Sequence, residues 1–63
     1  MTFIIERLPG WYTKYWIYDE NRRLVAIVWY RKISKSISYV LCADHAKCRD
    51  AVDYLLYRLH SKS

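Results

Sequence analysis

YTKYWIYDENRRLVAIVWYR, residues Tyr12 to Arg31, is the stretch whose reading decides the fold. Two runs rich in β-branched and aromatic residues, Tyr12 to Asp19 and Leu24 to Arg31, flank Glu20-Asn21-Arg22-Arg23, whose polar side chains favour a turn. That is a hairpin. Successive strand side chains point to opposite faces. Tyr12, Lys14, Trp16 and Tyr18 therefore oppose Thr13, Tyr15, Ile17 and Asp19, and Leu24, Ala26, Val28 and Tyr30 oppose Val25, Ile27 and Trp29. Both faces carry large apolar groups. The loop length sets which residues share a face, so alternation leaves the pairing of the two sets open.

Before the hairpin, Phe3-Ile4-Ile5-Glu6-Arg7-Leu8 is a short β-rich run ended by Pro9-Gly10, the only Pro and the only Gly in the chain. After it, Arg31 to Ser36 is basic and polar enough for a loop, with Ile33 able to extend either neighbouring strand. Ser36 to Leu41 then alternates small polar with large apolar residues, which predicts a strand with Ile37, Tyr39 and Leu41 facing inward. Asp44 suits a helix N-cap. Cys48, Val52, Leu55 and Leu59 recur at helical spacing, with Ala51 and Leu56 on the flanks, and form one stripe to lay on a sheet. Tyr57 falls opposite that stripe and Tyr54 well to one side, so both are expected to be exposed. Arg58, His60 and Lys62 suit the negative end of the helix dipole. The predicted class is α+β, a small antiparallel sheet of three to four strands in the order β-β-β-β-α, with one C-terminal helix packed on one face. A single helix cannot cover both faces, and a large apolar patch left open on a small protein marks an interaction site.

The 63 residues form one domain, 1–63, near the lower size for folding alone. A hydrophobic fraction of 54% argues against disorder, and the size argues against a deep catalytic cleft. The charge of +5 favours polyanionic partners through phosphate contact and counterion release. No apolar run approaches the roughly 20 residues that span a bilayer, and the N-terminus lacks the pattern of a signal peptide. The expectation is a cytoplasmic protein without a membrane partner, in a host cell if virus-encoded.

Cys42, His45, Cys48 and His60 resemble a zinc set only on paper. Cys48 and His60 are twelve residues apart, roughly 18 Å along one helix, so they cannot converge on one tetrahedral ion. No metal and no cofactor is expected. Two cysteines make no secreted disulfide framework, and in a reducing cytosol both are expected as thiols. Geometry permits a Cys42–Cys48 disulfide only if Cys42 ends a strand and the chain doubles back into the helix. A Cys–His nucleophile lacks an orienting third residue and an oxyanion site, and the six acids form no acid–base pair. Arg49 and Asp53, four apart, suit a weak helix ion pair. The chain reads as non-enzymatic.

Basic residues interleaved with aromatics remain. Trp16, Tyr18 and Trp29 would offer stacking surface, while Lys14, Arg22, Arg23, Arg31, Lys32 and Lys35 would contact phosphates, the pattern of a small basic nucleic-acid-binding protein. In layout alone, a small basic sheet with a terminal helix resembles the small archaeal chromatin proteins and the arm-binding domains of phage integrases, which place a sheet on DNA. No residue motif of either is present, so no residue role is carried over. The alternative is a protein-interaction module, either a compact inhibitor or regulator of the kind viruses and mobile elements encode, or a homodimer through the uncovered sheet face. There Trp16, Trp29 and the tyrosines would be anchors.

Overall fold

The computed structural model describes residues 2–10 and 12–61. Four strands, β1 (Ile4–Leu8), β2 (Thr13–Tyr18), β3 (Leu24–Arg31) and β4 (Ser36–Cys42), precede one helix, α1 (His45–His60). The strands form a single antiparallel sheet in the order β1-β2-β3-β4, the meander that short hairpin connections produce. This is the expected α+β arrangement with four strands.

The register separates the two faces. Ile5, Arg7, Thr13, Tyr15, Ile17, Ala26, Val28, Tyr30, Val40 and Cys42 share the face beneath α1. Ile17, Val25, Val28 and Leu55 are almost fully excluded from water, each worth roughly 1.5–3 kcal/mol in apolar transfer. From the helix, Cys48, Ala51 and Leu55 enter this core, flanked by Val52 and Leu59, as the stripe predicts. Tyr57 is exposed as expected, whereas Tyr54 is not. Its ring packs on Phe3 with centroids 5.6 Å apart, because Phe3, ahead of β1, is buried under the helix flank. Ile33 extends neither strand and stands almost wholly in solvent within the turn at 32–35.

Two bulges reset the alternation. Between Ile17↔Ala26 and Tyr18↔Leu24 the third strand carries an extra residue, Val25. This turns its side chain into the core and leaves its carbonyl to accept the N–H groups of Ala43 and Asp44 at 2.8 and 3.0 Å. Between Trp29↔Tyr39 and Tyr30↔Ile37 the fourth strand carries the extra residue Ser38. Ile37 therefore faces the helix side while Tyr39 and Leu41 face away, 59% and 45% exposed. The expectation that all three point inward is corrected here. It rested on unbroken period-two alternation, and the bulge breaks it.

The β2–β3 turn is organised by Asp19. Its Oδ1 accepts the N–H groups of Asn21 and Arg23 at 2.9 Å each, and its own N–H donates to the Arg23 carbonyl. Asp44 caps α1 as predicted, with Oδ1 accepting the Ala46 N–H at 3.1 Å. Arg58 and His60 occupy the last helical turn, while the expectation for Lys62 lies outside the described residues. Cys42 and Cys48 are joined in a disulfide, their Cα atoms 5.6 Å apart. The expected thiols are thus replaced by the bridge, because the bend at Ala43-Asp44 folds the end of β4 back against the first turns of the helix. The ion pair that forms is Lys47 with Asp19 rather than the expected Arg49 with Asp53.

Candidate binding face

The face away from α1 is assembled by the same register. Ile4, Glu6 and Leu8 from β1 stand beside Tyr18, Trp16 and Lys14 from β2. Lys14 and Trp16 pair in turn with Trp29 and Ile27 of β3, and these with Tyr39 and Leu41 of β4. Among the described residues no other strand or helix lies over this surface. Its centre is aromatic: the Lys14 ammonium stands 5.2 Å from the ring centroids of both Trp16 and Trp29, and Trp29 lies 5.4 Å from Tyr39. A cation held over two indoles gains from their quadrupoles and keeps its charge at the surface. The Trp16 Nε1 is buried without a hydrogen-bond partner among the described residues.

The sequence-predicted residues fall into three groups on or beside this face. Lys14, Trp16, Tyr18 and Trp29 lie together on the sheet. Arg31 closes β3 at one end, where its Nη2 donates to the Tyr12 hydroxyl at 3.0 Å and its guanidinium lies 5.5 Å from the Tyr12 ring. Lys32 and Lys35 are exposed in the adjoining turn. Arg22 and Arg23 are exposed at the opposite end, separated from Arg31 by the length of β3, roughly 25 Å. The six cations therefore do not form one patch: Lys14 sits in the aromatic centre and the other five bracket it. Tyr39, Tyr12, Leu41, Ile4 and Leu8 belong to the face without having been singled out, and Tyr39 and Leu41 carry no sequence signal because the bulge that places them is silent.

Charge is divided unevenly between the two layers. Residues 2–41 hold seven of the eleven Lys and Arg and three of the six Asp and Glu, whereas residues 44–60 hold three of each. One of the three acids on the sheet side, Asp19, is buried and paired with Lys47. The N–H of Arg23, then the Lys47 ammonium and the N–H of Asn21, hold its carboxyl below the usual aspartate range against the opposing effect of burial.

Two described residues other than glycine adopt positive φ, Arg22 at 64° and Lys35 at 52°. Each sits in a turn at one end of the face. Left-handed backbone favours Gly or Asn, and a long cation there is retained against a local cost.

No protein-family model matches the chain, no curated protein is significantly similar to it, and no solved structure matches its fold significantly. Among the described residues no helix is long and apolar enough to cross a membrane.

Proposed function

We propose that the protein binds nucleic acid across the open sheet face, with phosphates held by the cations at its two ends and bases meeting its rings. The observation that supports this most is the pairing of Trp29 with Tyr39 beside Lys14, on the layer that carries nearly all the net charge. Aromatic faces stack on any base, and flanking cations track the backbone. The Ser38 bulge, which lets Tyr39 stand on this face while Ile37 faces the helix, fits the tendency of bulges to re-aim side chains at functional sites. Basic residues in both left-handed turns fit the same reading. We place this activity inside the cell, where a Cys42–Cys48 bridge requires a compartment or organism that keeps disulfides oxidised.

Fluorescence anisotropy with labelled single-stranded and duplex oligonucleotides, across a salt series, tests the reading. Binding should weaken steeply with salt, and Arg22→Glu with Arg23→Glu should weaken it on every sequence. Tyr39→Ala should cost about 1–3 kcal/mol of affinity. Absent or salt-insensitive binding would overturn the proposal.

The aliphatic margin of the same face, Ile4, Leu8 and Leu41, each more than two-fifths exposed, favours a second reading, a protein partner or a second copy of the chain. There Trp16→Ala would abolish capture or dimerisation and Arg22→Ala would change little. Size-exclusion chromatography with light scattering at low and high salt separates the two: a dimer stable at both salts supports self-association.

A further inference from the structure

On the opposite side of the molecule, β1 and α1 leave a cleft of about 230 Å³ between them, lined by Ile5, Arg7, Tyr15, Leu55, Arg58 and Leu59. Its chemistry is of two kinds. Ile5, Leu55 and Leu59 make an aliphatic wall, while Arg7 and Arg58 bring two guanidinium groups with no carboxylate partner among the described residues. Arg58 lies 5.9 Å from the Tyr54 ring, a contact that leaves its N–H fork unused. Tyr15 is 6% exposed, and no described residue hydrogen-bonds to its hydroxyl. Burial raises its pKa above the ordinary phenol value, with Arg7 opposing, so the group stays a neutral donor at pH 7.

A phenol hydroxyl with no hydrogen-bond partner among the described residues, beside two guanidinium groups and an aliphatic wall, is the complement of an anion with an apolar tail. Guanidinium forks match carboxylate and phosphate oxygens, and a phenol O–H adds a third donor. The volume lies below the roughly 300–1,000 Å³ of pockets for drug-sized molecules, which limits the tail to a short one. We infer that the cleft between β1 and α1 binds a small amphipathic anion, a carboxylate or phosphate monoester bearing a short apolar chain. Arg7, Arg58 and the Tyr15 hydroxyl hold its headgroup, and the chain lies on Ile5, Leu55 and Leu59. This site faces away from the open sheet face and stands or falls without it.

Amide and side-chain NMR spectra of the intact protein, titrated separately with hexanoate, hexyl phosphate, hexanol and inorganic phosphate, test the assignment. Hexanoate or hexyl phosphate should give saturable shifts confined to the six lining residues, and the tighter of the two identifies the headgroup. Hexanol and inorganic phosphate, each lacking half of the ligand, should bind at least about tenfold more weakly. The paired substitution Arg7→Ala with Arg58→Ala, both at exposed positions, and Tyr15→Phe, which keeps the ring, should each weaken binding about tenfold or more while the spectra remain those of the folded protein. No saturation by about 10 mM of either anion, shifts centred on Trp29 and Tyr39 instead, or equal affinity in the variants would overturn it.

Discussion

Lys47 and Asp19 are 28 residues apart in the chain and 3.2 Å apart in space, Nζ to Oδ2. The contact joins the first turn of the helix to the residue just after β2, and Asp19 spends its other carboxylate oxygen on the β2–β3 turn. Asp19→Ala should lower Tm more than Asp19→Asn, because Asn keeps an acceptor for the Asn21 and Arg23 amides while Ala keeps none. The pH dependence has a fixed sign. A carboxyl held below its unfolded value of about 3.9 contributes stability that is complete above that pH and is lost as pH falls through the lower native value. The stability gap between the native protein and Asp19→Asn should therefore close below about pH 4, as thermal melts over a pH series would show.

The Cys42–Cys48 bridge closes a loop with a sequence separation of six. Chain entropy for so short a loop amounts to about 2 kcal/mol, so reduction, or Cys42→Ser with Cys48→Ser, should lower Tm by roughly 10 °C without abolishing the fold. Calorimetry with and without reductant measures this.

Deleting Ser38 discriminates between strict alternation and a bulge. If alternation governed β4, the deletion would move Tyr39 and Leu41 to the other face. With Ser38 as the extra residue, the deletion leaves a regular ladder and Tyr39 stays against Trp29. Ring-to-ring nuclear Overhauser contacts between Trp29 and Tyr39 should survive in the variant, with Tm changed by only a few degrees.

These bulges mark where the sequence stops being legible. The four strands, the Pro9-Gly10 break, the Asp44 cap and the helix stripe were readable because each rests on local chemistry or on a single period. β3 matches its expected span, Leu24–Arg31, end to end. The faces of β4 were not readable, since an extra residue is defined only by its pairing with the neighbouring strand. Tyr54 misled for a related reason: its partner Phe3 lies 51 positions away and ahead of any strand. Of the cations of the candidate face, five are exposed and Lys14 is half-buried, and their division between the two ends of the sheet depends on the topology and not on sequence proximity.

Arg22→Gly and Lys35→Gly should each raise stability by about 1 kcal/mol, because glycine takes the left-handed backbone without a Cβ clash. If the two turns hold phosphates, the same substitutions should weaken oligonucleotide binding and flatten its salt dependence by about one counterion each. Denaturant melts and anisotropy on the same two variants give both numbers.

Three ties between the layers gather at one end of the sheet: the Val25 carbonyl with the Ala43 and Asp44 amides, the Cys42–Cys48 bridge, and Lys47 with Asp19. Beyond Ala51, Leu55, Leu59 and Tyr54 add apolar packing. The start of α1 is thus pinned covalently, electrostatically and through the backbone at once, so amide exchange protection along the helix should be highest just after Cys48 and decline toward its C-terminal turn.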